Sequence, residues 1–423
     1  MTHNKTVLPN GLRVVTTSLP YAPSISVVVF IGAGSRYETS ETSGIFHFIE
    51  HICFKGTQRR PTPQEISEAI EGVGGVLNGG TDKEITVYWT KVAKLHFEVA
   101  VDVLQDMVLH SRFEPAEVEK ERNVIVEEIS MSMDAPQQRV DLLIDEVVWP
   151  DQALGRDVAG SKDVVRSVPR EALLAHLNRQ YVPNNAVIAI AGAVEHEQAV
   201  SLVSKAFGGW QPGGPLLTWQ RALDGQAAPR VLVETRKTEQ TQLALAVRGL
   251  SMFDPDRYVL DLLNVVLGEG MSSRLFIEIR EKRCLAYDIH SYVTHLLDTG
   301  TLNIGAGVDP KHLEPALRAS MEEMRRLKNE LVPPAEVTKA KEFTKGRMLL
   351  RMEDSRSVAG WLAAQELLLG RIMTVEEVLA IVDRVTAEDI QRVARRVFID
   401  SNVNLAVVGP APSEEKLKKL LHF

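Results

Sequence analysis

The sequence predicts an α+β fold of two homologous domains, each a largely antiparallel β-sheet covered by helices on one face. A buried-strand pattern that ends at Gly192 recurs at Gly409, an offset of 217 residues, and Pro115-Ala-Glu-Val118 recurs as Pro334-Ala-Glu-Val337 at an offset of 219. Strand-like runs occur both before and after helical runs, and short turns suggest hairpins rather than a regular βαβ alternation. A nearly constant offset of this length indicates a duplicated domain rather than a short-period repeat.

The predicted boundaries follow from the duplication. Residues 1–212 are expected to form the N-terminal domain, residues 213–229 the linker, and residues 230–423 the homologous C-terminal domain. The linker prediction rests on the Gly- and Pro-rich stretch between Gly208 and Ala228. A chain of 423 residues has ample material for two cores.

The amino-acid composition and net charge indicate which classes of molecule the chain could bind. Charged residues make up 25% and hydrophobic residues 44% of the chain, as in ordinary soluble globular proteins. The net charge of −8 argues against nucleic acid and favours basic or neutral peptides. Two cysteines, Cys53 and Cys284, are too few for a disulfide framework, and Cys53 is expected in the core.

The N-terminus shows no secretion or transit signal, so we expect a cytoplasmic protein. The apolar runs Ile25–Ile31 and Ala186–Val194 have the length of strands and cannot span a bilayer, so no membrane association is expected. Between Thr6 and Val15, Pro-Asn-Gly separates two apolar runs and predicts a hairpin at the start of the fold.

The stretch from Gly44 to Thr57 contains His47-Phe-Ile-Glu50-His51. If it is helical, His47 and His51 are i,i+4 neighbours on one face and Glu50 flanks them. A catalytic zinc needs such a pair of ligands on a rigid element, an open position for water and a base beside that water. H-x-x-E-H is the inverzincin motif. An isolated histidine pair is usually a surface or core pair, so a third ligand is required.

A glycine-rich stretch follows a turn and a capped helix that ends near Glu71. Residues Gly72 to Thr81 lack the Lys-Ser/Thr of a phosphate loop and the G-x-G-x-x-G spacing, which excludes nucleotide binding. Glycine within a strand often marks the close approach of another backbone. The sequence leaves open either such a strand or a flexible loop.

An acidic helix is predicted from Glu117 to Ile129, entered through Pro115. Within it Glu121 and Glu128 are seven residues apart and share a face, whereas Glu127 is turned by roughly 100°. Flanking apolar residues suggest that part of the acidic stripe faces inward. Buried carboxylates need a partner such as a metal or a base.

The second half has no equivalent of the histidine motif. Leu262–Gly270 occupies the corresponding place without a histidine, so one metal site per chain is expected. Further on, Arg280 and Tyr287 are seven residues apart. Taken alone, such a pair is more often a helix-surface pair or core filler.

Together these motifs resemble those of the insulinase/pitrilysin family of zinc peptidases, in the branch of the mitochondrial processing peptidase and its bacterial relatives. The resemblance implies zinc bound by His47, His51 and Glu128, which follows His51 after 76 intervening residues. It implies Glu50 as the general base and Glu121 as a residue that supports the ligands. The residues alone would also fit other divalent ions.

The resemblance also assigns substrate contacts. It implies that the glycine-rich stretch is an edge strand onto which the substrate peptide is added. The substrate-binding residues would be Asn78, Gly79, Gly80 and Thr81. The family usually has Asn-Ala where this chain has Asn78-Gly79, which leaves the rigidity of the strand in doubt. Arg280 and Tyr287 match the pair that closes over the substrate and polarises the scissile carbonyl.

The expected function is a zinc metalloendopeptidase that hydrolyses short unfolded peptides. One half-shell per chain implies a homodimer that encloses a chamber, with active sites completed in trans. The alternatives are a presequence-processing peptidase, a non-catalytic core-type subunit of a larger complex, and a zinc-binding module without turnover. Glu50 argues against the last, since structural zinc sites are usually closed by four ligands.

Overall fold

The computed structural model describes residues 2–423, which form two compact units with one β-sheet each. The strands are β1 (Asn4–Val7), β2 (Arg13–Ser18), β3 (Ser24–Ile31), β4 (Val76–Thr81), β5 (Thr86–Ala93), β6 (Ala186–Gly192), β7 (Arg230–Glu234), β8 (Thr241–Arg248), β9 (Ala286–His295), β10 (Gly300–Val308) and β11 (Val403–Val408).

The α-helices are α1 (Ile45–Cys53), α2 (Pro63–Glu71), α3 (Phe97–His110), α4 (Pro115–Asp134), α5 (Pro136–Val148), α6 (Lys162–Ser167), α7 (Arg170–Gln180), α8 (His196–Phe207), α9 (Arg257–Leu267), α10 (Leu313–Asn329), α11 (Pro334–Arg351), α12 (Ser355–Ala364), α13 (Val375–Arg384), α14 (Ala387–Val397) and α15 (Glu414–Lys418). Two segments are π-helical, Phe276–Lys282 and Gln365–Leu369. None of the helices within residues 2–423 is both long and apolar enough to cross a bilayer.

Five strands of the first sheet match the order of the second, as a duplicated domain requires, and β1 is an additional edge strand. The first runs β1-β2-β6-β3-β5-β4 and the second β7-β11-β8-β10-β9. In each sheet one pair is parallel, β2 with β6 and β7 with β11, and the other pairs are antiparallel. The predicted α+β class with two homologous, largely antiparallel sheets is therefore confirmed.

Several local predictions are also confirmed. The Pro-Asn-Gly turn joins β1 and β2 as an antiparallel hairpin. Strands β6 and β11 are buried along their whole length. Helix α2 begins behind Thr62, whose side chain accepts the N–H of Glu65 while the Glu65 carboxylate accepts the N–H of Thr62.

Helices cover the central strands on both faces, so the prediction of helices on one face was wrong for these strands. In the second sheet Leu243 and Leu245 of β8 join the main core, whereas Ala244 and Ala246 face helix α5 in a separate apolar cluster. In the first sheet α12 packs on β3 and β6. These strands carry apolar side chains on both faces, so helices must cover each face to shield it from water.

The compact units are discontinuous in sequence and therefore differ from the continuous ranges 1–212 and 230–423. Segment Ser130–Arg156, which contains α5, belongs to the second unit. Segment Leu349–Val375, which contains α12, belongs to the first. Each unit takes the helix that covers the second face of its sheet from the other half of the chain.

Candidate metal centre

Helix α1 begins at a tightly packed glycine. Gly44 has a φ of +90°, and a Cβ on it would lie 2.4 Å from the carbonyl oxygen of Ala159. The buried carboxylate of Glu38 accepts the N–H groups of Gly44 (2.7 Å) and Phe46 (3.0 Å). An acid at a helix N-terminus satisfies free N–H groups and complements the helix dipole. Glu38 therefore fixes the start of the helix that carries the histidines.

The two histidines of α1 face each other. Nε2 of His47 lies 3.1 Å from Nε2 of His51. One potential metal-ligating atom from each of His47, Glu50 and His51 lies within 4.8 Å of the other two. His47 and Glu50 are buried, and His51 is half-buried. The helical spacing that the sequence suggested thus brings all three side chains into one small volume.

Glu128 of α4 reaches the same place. Its Oε2 lies 3.8 Å from Nε2 of His47 and 3.6 Å from Nε2 of His51. Ligand atoms about 2.0–2.1 Å from a tetrahedral zinc are separated by about 3.3 Å. The three atoms therefore form a triangle of nearly the size that one ion requires. The Glu128 side chain is 47% exposed, so this side of the cluster is open to a water or a substrate.

The carboxylate of Glu121 bridges His51 and Lys55. Oε1 of Glu121 lies 2.8 Å from Nδ1 of His51, and its Oε2 lies 2.8 Å from Nζ of Lys55. Burial alone would raise the pKa of Glu121, but hydrogen bonds from His51 and Lys55 and their charges lower it. A carboxylate at Nδ1 accepts a hydrogen bond from the N–H of that nitrogen, which favours the tautomer whose Nε2 carries a lone pair directed at His47 and Glu128.

The neutral imidazole of His47 is of the kind that binds a divalent cation. Burial, with a smaller contribution from His51, lowers the pKa of His47 to about 3, so its imidazole is neutral. Nδ1 of His47 is buried without a hydrogen-bond partner. Two imidazole nitrogens and one carboxylate oxygen that face one another form a donor set suited to zinc.

Glu50 lies beside this cluster, and its carboxyl group is buried close to His51 and two other acids. Burial, opposed by His51 and reinforced by Glu128 and Glu121, raises the pKa of Glu50 to about 7. A Cβ built on Gly79 of β4 would lie 3.0 Å from Oε1 of Glu50. The side chain is thus held between helix α1 and the edge strand.

The glycine-rich stretch forms an edge strand, which removes the loop alternative. Strand β4 ends the first sheet and pairs only with β5, Gly79 lying opposite Tyr88. All the residues expected to contact substrate, Asn78, Gly79, Gly80 and Thr81, lie on it. A Cβ on Gly79 would also lie 3.0 Å from two ring carbons of Phe54, whereas a Cβ on Gly80 would meet nothing within 4 Å.

Arg280 and Tyr287 belong to the second unit and contact each other. Cζ of Arg280 lies 4.7 Å from the ring centroid of Tyr287 and 4.7 Å from that of Phe276. Arg280 lies in the π-helical segment and Tyr287 at the start of β9, so a turn, not a shared helix face, brings them together. Tyr287 is 77% exposed and available to a ligand.

Sequence reasoning missed Lys55 and Glu38. Lys55 follows His51 by four residues but lies beyond the end of α1 at Cys53, so helical spacing alone did not place its ammonium group. Glu38 gave no signal either, because its carboxylate reaches the helix from the preceding loop. Cys53, by contrast, is buried as expected.

Comparison with known proteins gives the family. The model of the insulinase family (peptidase family M16) matches residues 13–162, and the model of the M16 inactive domain matches residues 167–343. An uncharacterized zinc protease of Streptomyces coelicolor is 35% identical over 422 residues, which cover 98% of this chain and 91% of the relative. The chain belongs to the insulinase family.

Two further comparisons bear on the branch and the fold. A probable mitochondrial-processing peptidase subunit beta of Arabidopsis thaliana is 33% identical over 425 residues, covering 96% of this chain and 78% of the relative. The crystal structure of a protease from Helicobacter pylori superimposes with a TM-score of 0.91 at 24% identity and covers 97% of this chain and 99% of that one. The resemblance to the processing-peptidase branch is therefore confirmed, and the fold is that of the insulinase-family peptidases.

Proposed function

We propose that this insulinase-family protein is a zinc-dependent endopeptidase with one zinc per chain. The observation that carries the proposal is the triangle formed by Nε2 of His47, Nε2 of His51 and Oε2 of Glu128, with edges of 3.1, 3.6 and 3.8 Å. The buried carboxylate of Glu50 lies beside it. A purely structural zinc site needs a fourth protein ligand and no free base.

The side chains divide the chemistry between them. Zinc held by His47, His51 and Glu128 would supply Lewis-acid activation of a water molecule and of the scissile carbonyl. Glu50 takes the proton of the attacking water and returns it to the leaving amine. Glu121 keeps His51 in the tautomer whose Nε2 carries a lone pair.

Arg280 and Tyr287 supply hydrogen-bond donors for the developing negative charge on the scissile carbonyl oxygen. A guanidinium and a phenol are donors of the type that stabilise tetrahedral intermediates. We propose that a second copy of the chain provides this pair, so that a homodimer contains two sites completed in trans. A chamber enclosed by two chains would admit short, unfolded peptides and exclude folded proteins.

Strand β4 supports a peptide substrate. As an edge strand it offers free backbone groups for an added strand, and Gly79 places that strand beside Glu50. The acidic residues of the site and the net charge of −8 favour basic or neutral peptides.

The test combines metal analysis with product mapping. Purified protein is expected to contain about one zinc per chain and to cleave peptides in a mixed pool, with cleavage lost on chelation and regained with zinc. The Glu50→Gln variant should keep its zinc and lose about 10²- to 10⁴-fold in kcat/KM. Zinc-loaded protein that cleaves nothing would instead indicate a non-catalytic core-type subunit.

Completion of the site in trans has its own test. Glu50→Gln and Tyr287→Phe chains, each inactive alone, are mixed under conditions that allow subunit exchange. Random pairing gives one intact site in each mixed dimer, so about a quarter of wild-type activity is expected to return. Failure to regain activity while exchange is verified by mass spectrometry would contradict this arrangement.

A second candidate function is the processing of presequences, which the similarity to the Arabidopsis processing-peptidase subunit favours. The same product mapping separates the two. Single cuts near basic residues of long peptides would support processing, and multiple cuts in short peptides would support degradation.

A further inference from the structure

Strand β4 presents its backbone groups alternately to β5 and to the open edge of the sheet. It pairs with β5 on one side only, with Asn78 opposite Trp89 and Gly79 opposite Tyr88. In an antiparallel pair, the N–H and C=O of one residue point to the partner strand and those of the next residue point away. Every second residue of β4 therefore offers a donor and an acceptor to an added strand.

The N–H of Gly79 is already occupied. It donates to Oδ1 of the neighbouring Asn78 side chain at 2.7 Å. The N–H of Asp82 donates to the carbonyl oxygen of Ile85, and hydrogen-bonded pairs alternate along an antiparallel ladder. Gly79 and Tyr88 are therefore a non-hydrogen-bonded pair, and the N–H of Gly79 points to the open edge. The Asn78 side chain is exposed and can rotate away without disturbing any packing.

This donor lies at the point of the edge strand nearest to the proposed base. A Cβ on Gly79 would lie 3.0 Å from Oε1 of Glu50. A peptide strand that is to be cleaved beside Glu50 must therefore pair with the backbone of Gly79. To do so, its carbonyl oxygen must replace the oxygen of Asn78.

We propose that the Asn78 carboxamide is a displaceable cap on the substrate strand. This inference rests on the proposed peptidase function. Breaking the hydrogen bond between Gly79 and Asn78 costs the same free energy whichever peptide binds. A peptide that adds several further backbone pairs along β4 compensates for this loss, whereas one that adds only one or two does not. The cap also shields a free strand edge from pairing with other chains.

Steady-state kinetics of Asn78→Ala test the cap with peptides of about five and about fifteen residues. KM should fall about two- to tenfold, the value of one neutral hydrogen bond, and by the same factor for both peptides, because each must break that bond to pair with β4. kcat should not change. Asn78→Asp retains an acceptor oxygen, so its KM should not fall below that of the wild type. An increase in KM for Asn78→Ala would overturn the proposal, because the carboxamide would then aid binding.

Asp82→Ala is the matched control. Oδ1 of Asp82 accepts the N–H of the next residue, Lys83, at the same 2.7 Å, but in the turn beyond the end of β4. Its removal should leave KM unchanged for both peptides. A fall in KM equal to that of Asn78→Ala would mean that the effect does not depend on the strand edge.

Amide hydrogen exchange provides a readout that does not depend on catalysis. The exchange rate of the Gly79 N–H should be about two- to tenfold higher in Asn78→Ala than in wild type. In Asp82→Ala this rate should not change. Unaltered exchange at Gly79 would overturn the cap. A wild-type protein that cleaves no peptide would refute the proposed function alone, since exchange at Gly79 is measured without substrate.

Discussion

Helices α4 and α11 are copies of one element that carry opposite charge. Both begin at the proline of a Pro-Ala-Glu-Val sequence. Thirteen residues after that proline, α4 has Glu128 and α11 has Arg347. The acids of α4 are Glu117, Glu119, Glu121, Glu127, Glu128 and Asp134, and the bases of α11 are Lys339, Lys341, Lys345, Arg347 and Arg351. The duplicated frame thus carries an acidic helix in one half and a basic helix in the other.

The helices α1 and α9 show the same contrast in their hydrogen bonds. In α9 the buried Asn264 accepts a hydrogen bond from Ser291 (2.6 Å) and donates one to Glu269 (3.1 Å). In α1 the Nε2 atoms of His47 and His51 have each other and Glu128 as neighbours. The polar side chain of α9 is thus satisfied by its neighbours, whereas the Nε2 atoms of α1 and the carboxylate of Glu128 face a common point. A metal centre needs this second condition.

The largest effect is expected when Glu128 of α4 is replaced by arginine, the residue at the corresponding position of α11. Glu128→Arg should reduce bound zinc to below about one tenth per chain and peptidase activity by about a thousandfold or more, because a ligand becomes a cation. Elemental analysis and hydrolysis measure both. Glu127→Arg is the matched control, with the same charge change on the adjacent exposed residue, and should retain zinc. Equal zinc loss in the two variants would show that charge alone, not ligation, is responsible.

A smaller effect is expected at the residue that orients His51. Glu121→Gln removes the carboxylate from Nδ1 of His51 and should weaken zinc binding about 10- to 100-fold. Competition with a chromophoric chelator gives the affinity. Glu119→Gln, a change on the exposed side of the same helix, should have no effect on zinc. If the zinc affinity of Glu121→Gln is unchanged, Glu121 contributes only an ion pair with Lys55 and stability of the fold.

The smallest effect concerns the edge strand, where the counterpart strand β9 has bulky side chains and β4 has glycines. Gly79→Ala places a Cβ 3.0 Å from Oε1 of Glu50 and from the Phe54 ring, so kcat should fall about three- to tenfold with little change in KM. Gly80→Ala, whose Cβ meets nothing within 4 Å, should remain within about twofold of wild type. If both variants behave alike, contact with Glu50 has no role in turnover.

Local patterns predicted much of the metal centre because its parts depend on helical spacing. The four-residue interval of His47 and His51 and the seven-residue interval of Glu121 and Glu128 each place two side chains on one face, whatever the tertiary structure. That the two faces meet did not follow from spacing. Only the resemblance to the insulinase family singled out Glu128.

The features that sequence reasoning did not find depend on tertiary packing. Helices α5 and α12 cover the sheet of the other half, and nothing in their own sequences identifies the sheet that they cover. Arg280 and Tyr287 meet through a π-helical segment and a turn, although their spacing suggested a shared helix face. Glu38 reaches the first turn of α1 from a preceding loop.

The central claim is that one zinc ion is held by His47, His51 and Glu128. Anomalous diffraction from a crystal of the zinc-loaded protein, recorded above and below the zinc absorption edge, tests it most directly. We expect one peak per chain, about 2.0–2.2 Å from Nε2 of both histidines and from a carboxylate oxygen of Glu128. A peak that involves other residues, or no peak from a crystal grown with zinc, would contradict the claim.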